Sequence, residues 1–423
     1  MLIGKRIRGK VLEAYLGGPG TAVRRAIDSA KRTVRREAPE LDLAFDPSDP
    51  WSYLAAQVVD RLVAAYELPV SVRVITPPAS DVDPQPAMRS KYAVRDAQLL
   101  AAVWDLEFPG KREADPGSVE KVATALIRER AGREQLSCAL ELAGAMWRGD
   151  KAALAQGLGR WGTESAIAVP PHLASTYAQL RKDGHYQGGM IGFAGEWYWG
   201  IDRLWHLERA IARTLHTNVV DVVHRRADAA PTTTATSELD LWFSFRSPYS
   251  YLALARLDDV VRAKGLTVKL RPIAPMVERG AKLPTDKKMY IARDAKREAD
   301  RLGIPFGNLC DPLGDGVRNC LALCQWADGQ GKALAFAQSA MRGIWAEARD
   351  MTEYVDLRFV VERAGLPWDL AKAVLADPAT AASVTAWTKA NLADLTTIGL
   401  WGVPSFRCGE FSAWGNDRLE HLP

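Results

Sequence analysis

Few side chains able to do chemistry are available in the C-terminal half of this chain. Residues 239–420 hold no histidine; His421 is the only one there, and the other five fall between His172 and His224. Without that side chain a His-dependent hydrolase or a His-ligated metal site is hard to build. The five cysteines, Cys138, Cys310, Cys320, Cys324 and Cys408, form no C-x-x-C pair. That argues against a dithiol centre and for a reducing, cytoplasmic location. Cys320 and Cys324 share a helix face but lack a second Cys/His pair at ligand spacing, so buried apolar cysteines are expected and no metal. Hydroxyl, Lys and Asp groups remain. Ser247 follows the apolar run Leu239–Phe245 and precedes Pro248, as an N-cap precedes a proline at the first helical position. A helix N-terminus carries about half a positive charge and unpaired N–H groups. A serine hydroxyl there can hold an anion; plain capping is the competing role.

The elements that would position Ser247 follow from pattern. Leu239–Phe245 is a buried strand, and Tyr251, Leu252, Leu254, Ala255 and Leu257 give the next helix its apolar face. Thr267–Ile273 reads as a second strand, and helical patterns run from about Pro284 to Asn391. Gly402–Phe406 is a short strand with Pro404 at its start, Gly409-Glu410 a turn, and a final helix begins near Asn416. The scheme is β-α-β, a helical insert, then β-β-α.

The same order occurs earlier in the chain. Leu41–Tyr53 (LDLAFDPSDPWSY) matches Leu239–Tyr251 (LDLWFSFRSPYSY) at an offset of 198 residues. Tyr92–Ala97 and Tyr290–Ala295, Phe108 and Phe306, and Trp147 and Trp345 keep that offset. Trp199–Leu204 (WGIDRL) and Trp414–Leu419 (WGNDRL) stand 215 apart, so the second copy has gained 17 residues between those anchors. Two homologous domains, 41–225 and 239–423, are expected. Arg226–Glu238 has no large apolar residue and reads as a linker. Residues 1–40 read as a helical extension with a solvated basic face, carrying ten Lys/Arg against four Asp/Glu.

Composition sets the outer limits. Hydrophobic residues are 48% and charged residues 25% of 423, the balance of an ordinary globular protein. The net charge of +4 sits in the N-terminal arm rather than on the folded domains, so no nucleic-acid partner is expected. The longest stretch without Asp, Glu, Lys or Arg, Ser165–Leu180, is shorter than the ~20 residues a spanning helix needs. No membrane partner is expected.

Five motifs of the second copy together resemble the DsbA-type branch of the thioredoxin fold: Phe243–Ala253 (F-x-x-SPYSYLA), Lys287–Asp294 (K-x-MY-x-x-RD), Gly303–Phe306 (GIPF), Gly402–Phe406 (GVPSF) and Trp414–Leu419. More narrowly they resemble 2-hydroxychromene-2-carboxylate isomerases and kappa-class glutathione transferases. The fold class implied is α/β, two tandem thioredoxin-like domains each with an inserted helical subdomain. The family pairs as a homodimer, and here the second copy would replace the partner subunit. Its redox members carry C-x-x-C where Ser247 and Ser250 stand. A serine cannot exchange disulfides, so the resemblance implies a borrowed sulfur, that of glutathione. Ser247 would stabilise its thiolate. Pro404 matches the family's cis-proline, and Val403 would pair its N–H and C=O with the cysteinyl backbone. Asn416 and Asp417 would hold the γ-glutamyl amine and carboxylate, and Lys287 a carboxylate; capping and solvent exposure are their bland alternatives. Tyr290 and Trp345 would line the site of a small unsaturated or aromatic electrophile, or else belong to the core. The activity implied is glutathione-dependent isomerisation. A kappa-like transferase or peroxidase and a silent scaffold are the alternatives. The loop Glu278–Leu283 lacks an asparagine that some of these isomerases carry for substrate. In the first copy Asp49 stands for Ser247, Met190 for Pro404 and Arg89 for Lys287, while Asp202 remains. That copy is expected to be a structural partner without the thiol site, or one that uses Asp49 as a base.

Overall fold

The computed structural model describes residues 2–226 and 238–423, with backbone alone for residues 2–8. The segment read as a linker therefore lies outside the described residues except at its two ends. The chain divides into two compact units: residues 22–226 with 284–290, and residues 2–21 with 238–283 and 291–423.

Two helices open the chain, α1 (Leu2–Leu16) and α2 (Gly18–Arg35). Helix α2 presents the expected solvated basic face only in part, with Lys31 and Arg35 exposed. Its Arg24, Arg25 and Arg32 are half-buried, while Val23, Ile27 and Val34 are exposed. Acidic and phenolic partners explain the reversal. Arg24 Nε lies 2.5 Å from Glu196 Oε1, Arg25 Nη2 3.5 Å from Tyr198 Oη and Arg32 Nε 2.8 Å from Asp28 Oδ2.

In the unit holding residues 22–226, β1 (Leu41–Phe45) leads through α3 (Pro50–Tyr66) to β2 (Val70–Val74). The insert is α4 (Pro86–Trp104), α5 (Pro116–Leu126), α6 (Gly132–Arg148), α7 (Lys151–Trp161) and α8 (Val169–Lys182). The hairpin β3 (Met190–Phe193) and β4 (Glu196–Trp199) and the helix α9 (Leu204–Leu215) complete it. The sheet order is β2-β1-β3-β4, with β1 parallel to β2 and antiparallel to β3.

In the other unit, β5 (Glu238–Phe243), α10 (Pro248–Lys264) and β6 (Thr267–Pro272) precede α11 (Thr285–Leu302), whose residues up to Tyr290 group with the first unit, and then α12 (Asp315–Gly329), α13 (Ala333–Ala346), α14 (Tyr354–Arg363), α15 (Trp368–Ala376) and α16 (Ala379–Thr397). The hairpin β7 (Ser405–Cys408) and β8 (Phe411–Trp414) follows. The order is β6-β5-β7-β8, with the same senses of pairing. The final helix expected near Asn416 is a six-residue 3-10 helix, Asn416–His421, entered from Gly415 at φ 109°.

Alternation along β5 builds the core. Leu239, Leu241 and Phe243 are fully buried in one core cluster with residues of α10, α12 and α13, each gaining roughly 1.5–3 kcal/mol. On the other face Asp240 accepts from Arg271 Nε at 2.8 Å and Arg407 Nη2 at 2.5 Å. Trp242 Nε1 donates to the Asn391 carbonyl of α16 at 2.8 Å. In the first sheet Arg73 holds Asp42 in the same way, again 198 residues earlier. Cys138, Cys320, Cys324 and Cys408 are free and buried, and desolvation pushes the Cys320 and Cys324 thiols up. Among the described residues no helix is long and apolar enough to cross a membrane.

Candidate active site

Ser247 caps α10 from an extended conformation (φ −104°, ψ 116°) with Pro248 in the first turn. Its Oγ accepts the Ser250 N–H at 3.2 Å, and its own N–H donates to the Ser244 carbonyl at 2.9 Å. An oxygen that accepts in this way keeps its proton free to donate. Ser250, in the buried wall of the helix, accepts the Ser244 N–H at 3.4 Å.

The pairing of Trp242 with Ser405 puts the start of β7 at the same end of the sheet as Ser244–Ser247. There the Val403–Pro404 peptide bond is cis. Gly402 must be glycine, because a Cβ would run into the Trp414 ring. Gly415 N–H donates to the Pro404 carbonyl at 2.9 Å, which fixes Asn416 one residue away. Among the described residues neither the N–H nor the C=O of Val403 has a hydrogen-bond partner. Asn416 is 1% exposed, yet neither its Oδ1 nor its Nδ2 finds a partner among them. Leaving a buried polar group unpaired costs on the order of 1–3 kcal/mol. A ligand with its own donors and acceptors would remove that cost. Asp417 beside it is half-buried. The open Val403 backbone and the orphaned amide fit an extended peptide bearing an amine and carboxylates.

Ser247, Val403, Pro404, Asn416 and Asp417 thus gather at one end of one sheet. Lys287 belongs to the other unit, where its Nζ donates to the Val82 carbonyl at 2.5 Å. Burial pushes its ammonium below the ordinary value, with Asp83 and Asp81 acting against the shift. Tyr290 joins a buried cluster with Tyr186 and Met190 and meets the His185 ring edge-on. Trp345 is core: it stacks on Phe306 and donates to the Phe245 carbonyl at 3.2 Å.

Two partnerships escaped the sequence reading. Tyr249 Oη donates to the buried Asp294 at 2.7 Å, and Arg246 forks onto Asp311 at 2.7 and 2.8 Å. The first had a signal. Asp294 ends the K-x-MY-x-x-RD motif, and its counterpart Asp96 accepts from Trp51 Nε1 and Tyr92 Oη, both at 2.8 Å.

The corresponding end of the first sheet differs. Asp49 caps α3 through Ser52 N–H at 3.1 Å and also accepts from Ser52 Oγ at 2.9 Å. Arg89 lies 3.4 Å from it and 5.0 Å above the Trp51 ring. Asp46 and Asp49 are both buried. Burial first, and then the charge of Asp49, pushes the Asp46 carboxyl up to about 7. Asp49 is raised as well, burial outweighing Arg89. Gly189, which stands where Val403 does, donates its N–H to the Ala44 carbonyl at 2.9 Å. The backbone position open beside Ser247 is closed here.

Residues 238–423 match the family model of the DSBA-like thioredoxin domain. The chain is 30% identical over 197 residues to a 2-hydroxychromene-2-carboxylate isomerase of Sphingobium xenophagum, spanning 44% of this chain and 96% of that protein. It is 27% identical over 191 residues to a 2-hydroxychromene-2-carboxylate isomerase of Pseudomonas putida, spanning 43% and 90%. Among solved structures, a 2-hydroxychromene-2-carboxylate isomerase is similar at 25% identity and TM-score 0.38, covering 43% of this chain and 91% of that one. The cytosolic disulfide reductase DsbM from Pseudomonas aeruginosa is similar at 19% and 0.34, covering 42% and 87%.

Proposed function

Through its C-terminal half the chain belongs to the 2-hydroxychromene-2-carboxylate isomerase family, and we propose that this half is a glutathione-dependent isomerase of a small unsaturated or aromatic electrophile. The observation that carries the reading is the juxtaposition of the Ser247-capped helix, the open Val403 backbone and the unpaired amide of Asn416. Bound glutathione would supply a thiolate able to add to a conjugated double bond and leave it again, which splits one barrier into two lower ones. The protein's part is to hold that sulfur as an anion. The N-terminus of α10 favours negative charge, and the free Ser247 proton can donate to it. Together they can lower a thiol pKa by about one or two units from ~8.5. Val403 would pair with the tripeptide backbone as an added strand does. Asn416 and Asp417 would take its γ-glutamyl end.

The first unit, in this reading, is a homologous copy that has lost the thiol site. The constant offset, the matching sheet order and the equivalent Asp42–Arg73 and Asp240–Arg271 pairs support the homology. The buried Asp49 and the closed Gly189 amide support the loss.

Calorimetry with reduced glutathione tests the proposal. Wild type should bind and develop the ultraviolet absorbance of a thiolate, and Ser247→Ala should diminish both. Ser247→Ala also removes a cap worth ~0.5–2 kcal/mol. Ser247→Asp is the sharper variant, since Asp49 shows that aspartate caps such a helix: it should stay folded and abolish the thiolate band. No heat from wild type at millimolar ligand would overturn the proposal. Retained conjugates in place of isomerised product would make the enzyme a transferase.

A further inference from the structure

The two units surround the same kind of helix cap with opposite charges. At the offset of 198, Asp46, Ser48 and Asp49 stand where Ser244, Arg246 and Ser247 stand. The cap of α3 is lined by carboxylates. Asp46 Oδ1 accepts the Ser48 N–H at 2.9 Å and the Ser48 Oγ–H at 2.7 Å, and Asp49 is the cap itself. The cap of α10 has no carboxylate at these positions and carries a guanidinium in the residue before Ser247. The Arg246 side chain is only 14% exposed, and its Nε and Nη2 fork onto Asp311 at 2.7 and 2.8 Å. Asp311, in the loop between α11 and α12, is 45% exposed and also accepts the Leu313 N–H at 3.2 Å. The other carboxylate whose charge acts on Arg246 is Glu278, in the loop after β6, and it accepts the Gly314 N–H at 3.3 Å.

A guanidinium one residue from the cap lies within about one Debye length of a ligand held there, ~10 Å at 0.1 M salt. Its burial weakens the screening further. A cation at that range favours the ionised form of a thiol. An aspartate forked onto the cation takes part of that effect back. We infer that the Arg246–Asp311 pair sets how readily a thiol docked beside Ser247 ionises: Arg246 promotes ionisation and Asp311 moderates it. Arg246 is a positioning residue that acts through its field and not by touching the sulfur. The inference rests on the reading of this end of the sheet as a thiol site, and it adds a residue to that site which lies outside the five that gather there.

The test follows the ultraviolet thiolate absorbance of the full chain saturated with glutathione, as a function of pH at low ionic strength. Arg246→Met should raise the pKa of the bound thiol by about 0.3 pH unit or more, and Asp311→Asn should lower it by a similar amount. Arg246→Lys keeps the charge and loses the fork, so it should stay near wild type. The double variant Arg246→Met/Asp311→Asn should also return close to wild type. Both single-variant shifts should shrink in about 0.5 M salt. A fork that only braces the cap loop would instead move Arg246→Met, Arg246→Lys and Asp311→Asn in one direction. That result, or no shift in any variant, would overturn the inference and leave the thiol site standing. No thiolate band in wild type would overturn the thiol reading itself, and this inference with it.

Discussion

Ser247 and Asp49 perform the same backbone task, each accepting an N–H of the first helical turn, and differ only in charge. The difference has a measurable side. In the folded first unit the Asp46/Asp49 pair holds a proton that the unfolded chain would release near pH 4. Its raised pKa means that this stabilisation is complete below about pH 4 and is lost as pH rises through about 7. Thermal unfolding should therefore shift to lower temperature between pH 5 and pH 8. Asp46→Asn should remove most of that slope and exceed the parent at pH 8 by roughly 1–3 kcal/mol. A flat profile in the parent would refute the assignment. Both caps were legible in the sequence, because an N-cap ahead of proline is a local pattern. The orphaned amide of Asn416 was not. Its burial depends on Gly415 being tied to Pro404, a contact the chain makes only after folding. The attachment of Lys287 to Val82, 205 residues away, was hidden for the same reason.

Helix α2 shows what periodicity can and cannot say. Its existence follows from composition, yet the side it turns inward was unreadable, because the partners Glu196 and Tyr198 come from β4. A test follows from the reversal. Glu196 is 6% exposed and takes Arg24 at 2.5 Å. Arg24→Ala should cost about 1–3 kcal/mol in denaturant unfolding by weakening the neutralisation of a buried carboxylate. Ile27→Ser, on the exposed apolar side, should stay within about 0.5 kcal/mol of the parent. The opposite ranking would mean that α2 faces the other way. The strands were easier to read. Leu239–Phe243 is bounded by Glu238 and Ser244-Phe245-Arg246-Ser247, and all five of its residues are buried, as its short apolar run suggests.

Across the chain as a whole, the 198-residue register marked two sheets of the same strand order. The 17 residues gained between Trp345 and Trp414 were visible only as arithmetic. The structure shows what they build: three helices, α14 to α16, follow Trp345, where two helices, α7 and α8, with a 3-10 turn follow Trp147. Composition could not separate a longer loop from an extra helix. The grouping of contacts was equally hidden. The unit that holds 238–283 also takes in residues 2–21, and a Cβ at Gly307 would press on Glu13. A fragment of residues 239–423 should accordingly melt below the full chain, by at least about 5 °C on the scale where 1 kcal/mol shifts a domain by ~2–8 °C. An equal melting temperature would show that the N-terminal helices contribute nothing.

The heptapeptide 284–290 follows β6 in sequence yet packs with the unit of residues 22–226, with Tyr290 lodged beside Ala44 and Met190. A substitution at any of those seven positions is therefore tolerated only where the neighbours of Tyr290 in that cluster accept it.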